Sequence, residues 1–250
     1  MTGTPSEAER QGRTDGRTVR FKIPRQALRG GTGAQLGLRA GESLEFHDYR
    51  DYVPGDDLRN LDWNVLARTD REVVRVHREE IAPVIEVFRD RSESMTVPPA
   101  KSAAADYLFG LLTAAAPTCR VIERDEPHTP RAVRVLVSDL LTADDPEQRL
   151  ARLSHQAATV IVIRLLAREE RDPTPGGACE CTDVETGECR ELVFDAKTIA
   201  SYRTALAAHT ERWQQAATRH AATFVDVIAD GSHGEMIATL ARSGIVEGVS

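Results

Sequence analysis

The residues of this 250-residue chain best suited to chemistry are four oxygen donors, Asp90, Ser92, Ser94 and Asp139. Asp90 ends a dense β-branched run, APVIEVF at 82–88, that reads as a strand buried on both faces, and Ser92 and Ser94 follow at alternate positions. Asp139 stands just beyond a second run of the same kind, AVRVLV at 132–137. Ligands of an open α/β sheet bind beyond the carboxyl ends of its strands, so all four are expected at one edge. Two uses fit these residue types. The serines can simply cap the next helix while Asp90 satisfies local backbone donors. Alternatively the oxygens bind a ligand, or Asp90 and Asp139 hold a metal for hydrolysis, which would also need a positioned base or nucleophile. The chain carries no Ser-His-Asp context, no phosphate-binding loop ending in lysine and Ser/Thr, and no H-E-x-x-H, and its seven histidines are scattered.

The elements that must position these residues alternate along the chain. Pro98 and Pro99 open a helix reaching Ala116, with Ala103, Tyr107, Gly110 or Leu111, and Ala114 as its apolar face. Cys119 to Glu123 is a short strand, 146–155 a helix behind an Asp-Asp cap, and TVIVIRLL at 159–166 a dense strand. A hairpin is expected over 178–184 and 188–194 about Thr186-Gly187. Asp195 then caps a long helix whose face carries Ile199, Tyr202, Leu206, His209 and Trp213, with His209 read as a packing residue. TFVDVI at 223–228 is a last buried strand, and 234–245 a final helix. Alternation of this kind implies a Rossmann-like α/β fold, a mostly parallel sheet with helices on both faces. Only about fifteen residues, 116–130, separate the first helix from the strand before Asp139, so a strand or helix is expected to be missing there. Thr113, Thr118 and Thr129 stand nearby with nothing in their spacing to select one.

A different signature lies upstream. From Gly41 to Thr69 aromatic residues alternate with acids and arginines about the turn Val53-Pro54-Gly55-Asp56, as in a segment cross-linked by charges and rings. The run resembles the family catalogued as domain of unknown function 58, DUF58, through Gly41, Glu45, Phe46, Arg50, Tyr52, Gly55, Asp56, Arg59, Leu61, Asp62, Trp63, Ala67 and Arg68. The resemblance extends through Glu79, Glu80, the 90–95 segment and the 183–188 turn. It implies a C-terminal fold of von Willebrand factor A type, and Asp90-x-Ser92-x-Ser94 resembles the metal-ion-dependent adhesion motif of such domains. That resemblance implies Mg²⁺ on Asp90, Ser92, Ser94 and Asp139, a hard ion with positions left open for a partner's carboxylate. It further implies a non-catalytic adaptor or accessory protein whose partner is a MoxR-type AAA+ ATPase or a von Willebrand A protein. Arg50, Tyr52, Asp56, Arg59, Asp62, Trp63 and Arg68 form the candidate interaction surface, which either docks a partner or serves as an ion-pair lattice pinning the segment. If the metal site is degenerate, the chain is a metal-free scaffold acting through that surface.

Composition narrows the setting. Lys+Arg 32 against Asp+Glu 39 gives a net charge of -7, which argues against a general nucleic-acid or acidic-membrane surface. No run approaches the length of a membrane span, and 1–20 lacks the apolar core of a signal peptide, so a cytoplasmic protein is expected. Cys119, Cys179, Cys181 and Cys189 lack a fourth ligand at zinc spacing and are expected as reduced thiols. Gly30-Gly31-Thr32-Gly33 reads as a flexible connection. The expected organisation is a disordered tail at 1–17, the signature segment packed on the main domain at 18–80, and the α/β domain, shortened in its middle, at 81–250.

Overall fold

The computed structural model describes residues 5–22, 44–56, 59, 61–79, 84–116, 119–122, 129–142 and 144–249. The chain divides into two compact units, Met1–Gly30 with Pro83–Ser250, and Gly31–Ala82. In order, the elements are α1 (Glu7–Asp15), β1 (Val19–Phe21), β2 (Leu44–Asp51), α2 (Trp63–Thr69), β3 (Val73–Glu79) and β4 (Ile85–Arg89). After a short 3₁₀ turn at Glu93–Thr96 come α3 (Pro99–Ala115), β5 (Cys119–Ile122), β6 (Val133–Ser138), α4 (Pro146–Ser154), β7 (Thr159–Leu166) and α5 (Arg168–Arg171). The last are β8 (Gly177–Thr182), β9 (Cys189–Phe194), α6 (Ala196–Arg219), β10 (Thr223–Ile228), α7 (His233–Arg242) and β11 (Val246–Gly248). The Gly30–Gly33 run and Thr118 lie outside the described residues.

The larger unit is built on a five-stranded parallel sheet in the order β10-β7-β6-β4-β5. Taken in chain order, its strands run fifth, fourth, third, first, second. This is a doubly wound order whose reversal falls between β4 and β6, the place where such sheets open a crevice at their carboxyl ends. The dense apolar runs are explained by burial on both faces. Val87, Val135, Ile163 and Val227 pack on one side with α3, α7, β1 and β11; Phe88, Leu136 and Val162 pack on the other with α4 and Trp213 of α6. Register is also marked by charge: Glu86 lies beside Arg134 and Arg164 beside Asp226, each an ion pair across adjacent strands. A one-residue slip would break both pairs and exchange the side chains that pack on the two faces.

The expected parallel sheet with helices on both faces is therefore present, and the shortened middle leaves it continuous. β5 follows α3 almost directly and takes the edge beside β4. The helix after Pro98 is present, but its buried set is wider than a single face: Leu108, Leu111 and Leu112 are fully buried, Lys101 is buried, Ala103 is exposed and Ala114 only half-buried. The cause is a second layer over it. The expected disordered tail is in fact a helix, α1, capped by the Ser6 side chain on Glu9 N–H at 3.1 Å and laid along α3. Glycines allow the approach, since a Cβ on Gly12 would stand 2.0 Å from the Tyr107 carbonyl oxygen and one on Gly110 2.1 Å from that of Glu9. β1 pairs antiparallel with β11, so 18–22 belongs to the larger unit rather than to the signature segment.

In the smaller unit β2 pairs antiparallel with β3, with the register shifting between Phe46 and Asp48. That shift interrupts the alternation by which a strand is recognised, which is why the signature reads as irregular. α2 begins at Asp62, whose carboxylate accepts N–H bonds from Asn64 and Val65.

Candidate functional site at the carboxyl edge of the sheet

Asp90 and Ser138 come together at the reversal point because β4 and β6 are neighbours in register there. The Ser138 hydroxyl donates to Asp90 Oδ2, and Ser92 N–H donates to Asp90 Oδ1 at 2.9 Å. Burial is the largest influence on the Asp90 carboxyl and pushes its pKa up. The hydrogen bonds from Ser138 and Ser92, with the charge of Arg149, outweigh it and hold the group below the usual aspartate value. The Ser92 and Ser94 hydroxyls bond each other at 3.0 Å. Ser92 precedes the 3₁₀ turn but makes no side-chain cap, so the plain capping role does not account for it. Asp90, Ser92 and Ser94 thus form one oxygen-lined loop.

Asp139 has a separate employment. Its Oδ2 accepts from the Lys101 ammonium at 2.9 Å and its Oδ1 from Leu141 N–H at 3.1 Å. The ammonium also donates to Glu170 Oε1 at 2.7 Å, and Glu170 Oε2 accepts from Ala167 N–H at 2.8 Å. The Lys101 side chain is 1% exposed, that of Asp139 0% and that of Glu170 19%. A lysine in the first turn of α3 opposes the helix dipole, and burying its charge is costly, so the two carboxylates are what make the position tenable. The backbone turns sharply beside it: Leu140 has φ 60, left-handed for a buried branched residue. Its N–H bonds the Ser138 hydroxyl, and its carbonyl accepts from His209 Nε2–H at 2.9 Å, the satisfied role expected of that histidine. Burial, the largest influence, holds the His209 pKa below the usual imidazole value despite that hydrogen bond.

The donors fit a hard cation in part. Asp90, Ser92 and Ser94 are of the type Mg²⁺ takes, whereas both Asp139 oxygens are committed to an internal ammonium and a backbone N–H. Thr113 returns its hydroxyl to the carbonyls of Phe109 and Gly110 in its own helix. Among the described residues no group of three or more His, Cys, Asp or Glu gathers as a metal cluster.

One further carboxylate reaches the loop. Glu185, at the turn between β8 and β9, accepts a hydrogen bond from Ser94 N–H at 2.9 Å across 91 residues of sequence. Lys101, Glu170, Ser138 and Glu185 were all missed in the sequence. A lysine in the first turn of a mostly apolar helix, KSAAADYLFGLLTAA, was the available signal for the first, and the family resemblance of the 183–188 turn the signal for Glu185; nothing local marks Glu170 or Ser138.

Residues 48–116 and 112–215 match the family described as "Protein of unknown function DUF58", which spans more than half of the chain. The chain belongs to the DUF58 family. No curated protein and no solved structure matches it significantly.

In this DUF58 chain the signature residues separate by role. Arg50 and Asp56 form a two-bond pair at 2.7 and 2.6 Å, and Asp56 also accepts Val53 N–H at 3.0 Å, fixing the turn about Gly55 with its φ of 111. The hydrogen bond between them is the largest cause of the Asp56 pKa being lowered and that of Arg50 raised. Asp62 is buried as the α2 cap, and Tyr52 is half-buried with its N–H on the Glu72 carbonyl. Arg59, Trp63 and Arg68 are exposed, Trp63 by 62%. Of the signature residues, Arg50, Asp56 and Asp62 are therefore engaged in bonds within the smaller unit, and Trp63 and Arg68 are exposed.

Proposed function

We propose that this DUF58 chain is a non-catalytic protein-interaction module, an adaptor or accessory protein of a MoxR-type AAA+ ATPase, and that it takes an acidic residue of its partner on the Asp90–Ser94 loop. The observation that carries the reading is the Ser94 N–H bond to a carboxylate, since the loop already accepts the group it is proposed to recognise. The doubly wound sheet supports a von Willebrand A-type reading by placing this loop at its reversal point. The choice of ATPase rests on the resemblance in sequence. A catalytic alternative would draw on Asp139 as a second metal carboxylate, and that group is held by Lys101. Mg²⁺ on Asp90, Ser92 and Ser94 would supply an open coordination position for the incoming carboxylate. A cytoplasmic setting belongs to the same reading; among the described residues no helix is long and apolar enough to cross a membrane.

A second reading draws on the exposed Trp63: a metal-free scaffold that binds through the signature surface, with Arg59 and Arg68 beside it in sequence. Equilibrium binding of the chain to a MoxR-type ATPase separates the two. The carboxyl-edge reading expects Asp90→Ala to weaken the complex by about tenfold or more, a difference of about 1.4 kcal/mol, with Trp63→Ala nearly neutral. The reverse order selects the scaffold, and absence of any complex contradicts the adaptor role.

A further inference from the structure

We infer that the turn joining β8 and β9 is a built-in occupant of the Asp90–Ser94 loop: Glu185 fills the carboxylate position, and a partner's acidic residue binds by displacing it. The inference rests on the reading of that loop as a carboxylate-recognition site. The hairpin has little else to hold its tip, because nearly every residue of both strands is exposed and, among the described residues, neither strand contributes to the buried apolar clusters on the sheet. Its turn is shaped from within. Asp183 Oδ1 accepts N–H bonds from Glu185 at 2.8 Å and Thr186 at 3.0 Å, and Gly187 closes the turn at φ 73. Those backbone bonds, Thr186 first, are what hold the Asp183 carboxyl below its usual pKa. Glu188 is spent on Arg190 at 2.9 Å. Asp183 and Glu188 are therefore both used inside the hairpin, and Glu185 is the acid of the turn that reaches out of it.

Its destination is a donor that needs a partner. Ser94 N–H sits in the first turn of the 3₁₀ segment, where no backbone acceptor of that segment is available to it. A carboxylate can approach because the neighbouring acids are compensated, Asp139 by Lys101 and Asp90 by its donors and the charge of Arg149. The contact is a single solvent-exposed hydrogen bond between the half-buried Ser94 and the exposed Glu185, weak enough to be exchanged. Tethering gives it an effective concentration of about millimolar order, enough to exclude weak external acids and to yield to a partner that adds contacts elsewhere. The partner so selected presents an exposed Asp or Glu on a turn or extended segment.

Two measurements on the full chain test this, using Glu185→Ala, a change at an exposed turn that leaves the Asp183 turn bonds in place. The first is hydrogen exchange at the Ser94 amide, expected to quicken by about threefold or more in the variant as its acceptor is lost. The second is fluorescence anisotropy with a capped peptide copying residues 182–188, TDVETGE. The variant is expected to bind it about tenfold more tightly than the unaltered chain, and a peptide with glutamine at the position matching Glu185 to bind poorly. Equal affinity of both chains for the acidic peptide, with unchanged Ser94 exchange, overturns the occupant while leaving the loop as a carboxylate site. Absence of peptide binding by either chain overturns the recognition reading, and with it the displacement of Glu185 by a partner that rests on it.

Discussion

Replacing Lys101 by methionine keeps most of its buried stem and removes the charge, which leaves the Asp139 carboxyl group fully buried and short of its main partner. Breaking a buried pair in this way costs about 3–5 kcal/mol, so a loss of that size is expected in urea unfolding of Lys101→Met. Adding Asp139→Leu to the same chain should recover most of it, since the fully buried carboxyl group is then gone and Glu170 is partly exposed and still bonded to Ala167 N–H; a double variant no better than the single would contradict this account of the edge. Asp90 gives a pH test. Its folded pKa lies below the unfolded one, so its ionised form contributes stability above the ordinary aspartate value of about 3.9, and that contribution is lost as pH falls through the folded pKa. Asp90→Asn is therefore expected to flatten the acid limb of the stability profile below about pH 4 and to leave its shape at pH 6–8 unchanged. At this scale the sequence was half legible. Aspartate and serine at strand ends pointed to the edge, but the ion pair that claims Asp139 joins residues 38 apart in the chain and has no local pattern.

Helices and strands were more readable than side-chain partners, because periodicity is a local property. TVIVIRLL and TFVDVI gave β7 and β10 at the expected residues, and Asp195 caps α6 through Thr198 N–H at 2.7 Å as its position suggested. α1 was missed because its packing face is made of small residues, Ala8, Gly12 and Gly16, which carry no hydrophobic signal. That face makes a sharp prediction. Gly110→Ala places a methyl 2.1 Å from the Glu9 carbonyl oxygen, and backbone cannot yield as a flexible side chain would. A loss of about 1–3 kcal/mol is expected from such overpacking, together with faster exchange confined first to α1. An alanine tolerated at full stability would contradict the close seating of α1 on α3. The buried strand pairs Glu86 with Arg134 and Arg164 with Asp226 were likewise hidden, since each reads as a lone charge in an apolar run until the register brings the strands together.

Over the whole molecule, the order of the five parallel strands decides where chemistry is placed. Because the order reverses between β4 and β6, the ends of those strands share one crevice, and the loop, the buried ammonium and the hairpin tip all converge on that edge. The DUF58 signature in the smaller unit offers the rival surface, with Trp63 and Arg68 outward and Arg50, Asp56 and Asp62 turned to internal bonds. The measurement that tests the account most directly is hydrogen exchange across the chain, alone and bound to a MoxR-type ATPase. New protection is expected at 90–96 on binding, with exchange at the 183–188 turn increasing as Glu185 is displaced. Protection confined to 44–79, with the carboxyl edge and the hairpin unchanged, would contradict it and hand recognition to the signature surface.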